Sequence, residues 1–220
     1  MKRQQYSLQP NWSKIKLPPV QQRFFYSADC NPFEEMVAKH LRDKLNAQDF
    51  YLFNNLILPS SHNGSSEIDH VVVSRSGVFV IESKDWGGWL FGDRISRCWT
   101  LSLSKGPGKR ATKQAVLNPW RQNYSHIKTL KEQLPFLDKV FYNVVVLSDR
   151  GEFKTERPGG ILYLSELAQY ITNKEETLLT RGEFTMTIGR LAYLHQAAGI
   201  KLVEHVNNIK TYLETGAAKN

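Results

Sequence analysis

The stretch from Ile68 to Lys84 constrains this chain more than any other. Ile-Asp-His-Val-Val-Val and Val-Phe-Val-Ile-Glu-Ser-Lys flank the tetrapeptide Ser74-Arg75-Ser76-Gly77. Both arms are β-branched or aromatic, and a glycine-containing turn separates them, which predicts an antiparallel hairpin. With Arg75 and Ser76 as loop residues, Ser74 faces Gly77 and paired numbers sum to 151 (74 + 77). Asp69 then lies opposite Glu82, and a bulge at Gly77 would shift this by one residue.

The rest of the chain supplies elements to cover such a hairpin. A helix is expected from Asn31 to Leu45, with Asn31 as N-cap, Pro32 at the first position and Phe33, Val37, Leu41 and Leu45 on one stripe. Tyr51–Leu58 reads as a strand and Ser60–Ser66 as a polar loop. A second hairpin is expected over Trp89–Phe91 and Cys98–Leu103, with Gly92-Asp93 near its turn. A basic glycine-rich loop, Lys105–Arg110, then leads to a helix capped by Asn118, opened by Pro119 and ending near Leu134, with Trp120, Tyr124, Ile127 and Leu134 as its stripe. Val140–Leu147 reads as a buried central strand, Ile161–Leu164 as a shorter one, and the remainder as helices from about Ser165, Glu183 and Lys201. This order predicts an α/β protein whose mixed central sheet is flanked by helices. Residues 1–30, with Pro10, Pro18 and Pro19, read as an extended arm, 31–164 as the core and 165–220 as a helical C-terminal extension.

Composition narrows the partners. The 220 residues are 41% hydrophobic and 23% charged, as in ordinary folded proteins. A formal charge of +8 and a pI near 9.4 favour polyanions such as nucleic acid or an anionic surface. Cys30 and Cys98 form no CxxC or Cys/His pattern, which argues against structural zinc and a disulfide framework. No run approaches the ~18 apolar residues of a membrane span, and the N-terminus has no apolar signal core. A cytoplasmic protein without membrane association is expected.

The chemistry concentrates on the hairpin. Opposed side chains lie about 4.5–5.5 Å apart at Cβ, and like charges there repel. A carboxylate pair between core-seeking strands needs a neutralising cation or a shared proton. Mg²⁺, which takes carboxylate oxygens and keeps several waters, would resolve the conflict. Lys84 is two residues beyond Glu82 and shares its face. It is placed either to hold a water or phosphate or to form a plain salt bridge to Asp69 or Glu82. Glu34 falls within the apolar stripe of the first helix, either to serve the site or to stabilise the helix N-terminus. Ser65, Ser66, Asp69 and His70 alternate across the strand and do not make a triad.

Glu-Ile-Asp-His-Val-Val-Val, Ser-Gly-Val-Phe-Val-Ile-Glu-x-Lys-x-Trp and Asn-Pro-x-x-Gln-Asn resemble the nuclease-related domain (NERD) family over roughly Asn31–Leu147. That family resembles in turn the restriction-endonuclease-like Asp…(Asp/Glu)-x-Lys nucleases. The resemblance implies a restriction-endonuclease-like core and a metal-dependent nuclease acting on DNA in preference to RNA. It implies Mg²⁺, or Mn²⁺ in its place, on Asp69, Glu82 and the Ser83 carbonyl. Lys84 would position water, Glu34 would orient Lys84 or that water, and Gln122 would support the site from the second helix. Asp85 departs from the asparagine common after the lysine and adds a negative charge. The basic residues Lys105, Lys109, Arg110 and Lys113, with Arg121 and Lys128, would track a phosphate backbone or form a solvated turn. Trp86, Trp89 and Trp99 would stack on bases, although core positions are expected for at least two of them. The rival readings are a silent nucleic-acid-binding module on the same fold, and a scaffold binding protein partners through the arm or the C-terminal helices.

Overall fold

A computed structural model describes residues 31–60, 64–138 and 140–197, so the arm over 1–30 and the helix expected from Lys201 lie outside the described residues. In chain order the elements are α1 (Pro32–Lys44), β1 (Phe50–Ser60), β2 (Gly64–Ser74), β3 (Gly77–Lys84), β4 (Gly88–Phe91), β5 (Cys98–Leu103), β6 (Thr112–Leu117), α2 (Pro119–Gln133), β7 (Phe141–Leu147), β8 (Gly151–Phe153), β9 (Ile161–Tyr163) and α3 (Leu164–Thr172). A further helix, α4, is described over residues 181–197. The fold is α/β with mixed sheets flanked by helices.

Two mixed sheets are present among the described residues, the smaller one built on the second hairpin expected from sequence. The larger has the order β1-β2-β3-β7-β9, and the smaller β6-β5-β4-β8. In the larger sheet β1, β2 and β3 form an antiparallel meander, and β7 and β9 then add in parallel to β3. β3 is therefore central, and all but its last residue is buried. Its even-numbered residues Val78 and Val80 pack with Val71 and Val73 of β2 under α2 and α4. Its odd-numbered residues Phe79 and Ile81 pack with α1 and α3. The smaller sheet meets β7 and β9 through Leu90, Trp99 and Leu101.

Local chemistry explains both helix starts. The Asn31 and Asn118 side chains each accept the backbone N–H two residues on, at 3.0 Å, with proline following the cap. The asparagine pair in the 118–123 motif has a further structural role. Asn118 also donates to the carbonyls of Asp93 and Ser96. Fully buried Asn123 donates to the carbonyls of Val80 and Val144 and to Asn143, pinning α2 across β3 and β7.

Several expectations are corrected. The basic loop leads first to β6, a solvent-exposed edge strand, and only then to α2. Ser65 and Ser66 belong to β2, not to a loop. β8, a three-residue strand, was not anticipated. On α2 the buried residues are Pro119, Asn123, Ile127, Thr129 and Leu130, whereas Tyr124 is exposed. Trp99 is buried and Trp86 packs beside it, as expected of core residues, while Trp89 is exposed beneath Lys154. Cys98 carries a free, exposed thiol. No helix among the described residues is long and apolar enough to cross a membrane.

Candidate active site at the open end of the hairpin

The hairpin register is the one expected from its turn. Ser74↔Gly77 through His70↔Ile81 all sum to 151, so no bulge intervenes. The ladder ends at that last pair, one step before Asp69 and Glu82. β2 continues back to Gly64 paired only with β1. The divergence coincides with a kink in β1, where Asn55 takes a left-handed φ of 49°. Asn55 stands opposite Asp69, because 55 + 69 gives the same sum, 124, as the flanking pairs Asn54↔His70 and Leu56↔Ile68. Asparagine tolerates this conformation better than most residues.

Asp69 fills the gap left by the splayed strands. Its Oδ2 accepts the backbone N–H of Ser83 and the Ser83 hydroxyl, both at 2.8 Å. A carboxylate thus takes the place of the carbonyl that a continued ladder would supply. An extended residue projects its N–H and C=O to the same strand edge, so the Ser83 carbonyl is directed to the Asp69 side as well.

Glu82 is 1% exposed, on the α2 face of β3 with Val78 and Val80. Its Oε1 accepts from Lys84 Nζ at 2.5 Å, and Lys84 remains 24% exposed at the mouth of the site. The salt bridge weighed from sequence is therefore present, and it leaves the second oxygen, Oε2, without a hydrogen bond. Asp69 lies close enough to Glu82 to feel its charge, at the point where the facing of β2 switches, since Ile68 joins the same cluster as Val71 and Val73.

The electrostatics reflect this crowding. Burial, and then the Glu82 and Glu34 charges, raise the Asp69 pKa to about 7 against the opposing Ser83 hydrogen bonds. Burial also raises Glu34, which is half-buried at the start of α1 and feels the charges of Glu67, Lys84 and Glu82. α1 thus brings Glu34 within electrostatic range of the hairpin acids from the opposite face of the sheet. Asp85, whose extra charge stood out in the sequence, is paired with Arg150 at 2.5 Å.

The remaining sequence-predicted residues divide. Gln122 is exposed and makes no contact with the acids, but it lines a cleft of about 910 Å³ with Glu67, Arg97, Arg121, His126 and Lys128. Arg121 donates to the Ile95 carbonyl. Lys105, Lys109, Arg110 and Lys113 are exposed around the β5–β6 connection and do not line this cleft. His70, adjacent to Asp69, points to the opposite face, where it is buried and bonded to Asn54; burial lowers its pKa to about 3.

One residue that the sequence reading passed over joins the acids. His126 of α2 places Nδ1 2.8 Å from Ser66 Oγ and Nε2 3.3 Å from Glu82 Oε2. Its signal was positional, four residues after Gln122 and therefore on the same helical face. Ser66 was hidden by its assignment to a loop.

The acids are compatible with a divalent ion in one specific sense. Among the described residues no three His, Cys, Asp or Glu side chains form a ready metal cluster. A hard ion needs only one or two carboxylates, with carbonyl and water oxygens completing its shell. The donor set fits that demand: a buried Glu82 oxygen without a hydrogen bond, an Asp69 carboxyl crowded by like charge, and a nearby carbonyl.

The model of the nuclease-related domain family matches residues 31–148. A curated relative, an uncharacterized protein of Bacillus anthracis, is 27% identical over 153 residues, covering 68% of this chain and 69% of the relative. No solved structure is a significant match.

Proposed function

The chain belongs to the nuclease-related domain family, and from that premise we propose that it is a metal-dependent nuclease hydrolysing nucleic-acid phosphodiester bonds. The observation that carries the proposal is the convergence of Asp69, Glu82 and Lys84 at the open end of the β2–β3 hairpin. A buried acid, a half-buried one and a partly exposed ammonium are costly to gather at a strand end unless a ligand uses them.

In this reading Asp69, Glu82 and the Ser83 carbonyl would hold Mg²⁺ or Mn²⁺. The bound ion would polarise the phosphate and lower the pKa of a water. Lys84 supplies positive charge where the phosphate gathers negative charge during attack, its Nζ anchored by Glu82. Ser83 fixes the Asp69 carboxylate through two hydrogen bonds, so that group is held before substrate arrives. Glu34 orients Lys84 or the water. Arg97, Arg121 and Lys128 along the cleft contact phosphates, and Gln122 supports the site from within it. The preference for DNA over RNA rests on the resemblance to restriction-endonuclease-like enzymes.

The Lys84–Glu82 ion pair favours a second reading, because it neutralises Glu82 without a metal ion. The protein would then be a silent nucleic-acid-binding module. Incubation with plasmid, linear duplex, single-stranded DNA and RNA in Mg²⁺ or Mn²⁺ separates the two. Cleavage lost on Asp69→Ala and on Lys84→Ala supports the nuclease. Salt-sensitive binding with no cleavage by the wild type selects the silent module.

A further inference from the structure

His126 reaches the corner between α2 and β3 with its two ring nitrogens in different situations. Nδ1 is bonded to Ser66 Oγ at 2.8 Å, whereas Nε2 is buried and makes no hydrogen bond. The atom facing it, Glu82 Oε2, is also buried without a hydrogen bond, 3.3 Å away. That contact is an ion pair only when Nε2 carries a proton, and even then it is too poorly aligned to count as a hydrogen bond. With the ring proton on Nδ1, where the Ser66 hydroxyl accepts it, two acceptor atoms lie 3.3 Å apart in a buried corner with no proton between them.

An ion between them removes that conflict. Two ligands each about 2.0–2.1 Å from one ion, at octahedral to tetrahedral angles, lie roughly 2.9–3.4 Å apart. The 3.3 Å separation of Oε2 and Nε2 falls in that range. Lys84 occupies the other oxygen of Glu82 and leaves Oε2 to the imidazole side. The Nδ1–Ser66 bond also matches the arrangement by which ligating histidines fix their ring orientation through the second nitrogen.

We propose that His126 is a protein ligand to the divalent ion through Nε2, with Ser66 orienting its ring, and that this imidazole biases the site toward Mn²⁺ over Mg²⁺. The inference rests on the metal-dependent reading above and adds a ligand to it. Glu82 and His126 form the preorganised pair; Asp69, held by Ser83, does not complete a three-side-chain cluster with them. Imidazole suits transition ions, whereas Mg²⁺ prefers an all-oxygen shell.

The test uses the full chain, freed of metal, with Mn²⁺ and Mg²⁺ added separately at fixed pH. Binding is measured by calorimetry, and pulsed EPR of bound Mn²⁺ reads out nitrogen coupling. The expected result is ¹⁴N coupling in the wild type that disappears in His126→Ala and His126→Gln. Mn²⁺ affinity should fall about 10-fold to 100-fold in both variants, with Mg²⁺ affinity changing far less. Mn²⁺ binding that is lost in Asp69→Ala, yet shows no ¹⁴N coupling and ignores His126 substitution, overturns the role of His126 and leaves the acid site standing. A wild type that binds neither ion removes the metal reading and this inference together. Should the variants fail to fold, the wild-type ¹⁴N signal decides alone: present, it supports the ligand, and absent, it refutes it.

Discussion

The β2–β3 hairpin has two ends built on opposite principles. At the closed end Ser74 and Ser76 bond to each other at 2.7 Å, the Ser76 N–H donates to Ser74, and the Arg75 carbonyl accepts the N–H groups of Leu178 and Leu179. These polar groups have partners and none is charged against its neighbour. At the open end the ladder stops, Asp69 substitutes for a backbone acceptor, Glu82 keeps an oxygen without a hydrogen bond, and Asp69 titrates far from its ordinary range. One ribbon, a few residues long, thus places stability at one end and unresolved charge at the other. Natural folds tend to violate local rules at the sites they use.

Substitutions at the two ends should separate activity from stability. The largest effect is expected from Lys84→Ala, which removes the ammonium and should lower cleavage by about 10²–10³-fold, with the melting temperature nearly unchanged in Mg²⁺, where the ion would replace Lys84 as the partner of buried Glu82. A comparable loss of melting temperature would make Lys84 a structural residue. Gly77→Ala should do the reverse. At φ +136° a Cβ would lie 2.6 Å from the Val140 carbonyl oxygen and 2.8 Å from the Tyr142 ring. Unfolding in urea should show a loss of about 3 kcal/mol, with cleavage per folded molecule retained.

Asp69→Asn should stabilise the metal-free protein. Folding raises the Asp69 pKa from 3.8 to about 7, so the folded state holds the proton more tightly than the unfolded chain. Wild-type stability from this group therefore falls as pH rises between those values and levels off above them. Melting curves in chelator should place the asparagine variant above the wild type at pH 8, and the gap should close near pH 4. A gap that persists at pH 4 would exclude titration of Asp69 as its cause. The smallest effect is expected from Arg121→Ala, a several-fold weakening of nucleic-acid binding with a salt slope shallower by about one. An unchanged slope would remove Arg121 from the phosphate contacts.

The parts of the fold that were legible in sequence are those where local chemistry and burial agree. The hairpin register followed from its turn, and α1 and α2 from Asn-Pro starts. β6 escaped because Thr-Lys-Gln-Ala-Val-Leu is an exposed edge with no buried face to impose alternation. The polar start of β2 escaped for a related reason, since it pairs only with β1 where the ribbon leaves β3. In the site, the nearness of Asp69, Glu82 and Lys84 was legible because the turn sets the register of the hairpin. His126 was not, because its nearness to Glu82 depends on how Asn123 pins α2 over β3. That distance is tertiary, across residues far apart in the chain, and no local pattern encodes it.

The carboxylate that completes the broken ladder gives the protein a reporter of its own. The Ser83 amide proton is bonded to a group that changes charge, whereas its neighbours along β3 face neutral carbonyls. Its NMR resonance should shift as Asp69 gains or loses a proton and again as a cation draws on that oxygen. One backbone signal would then read the state of the site without any probe being attached.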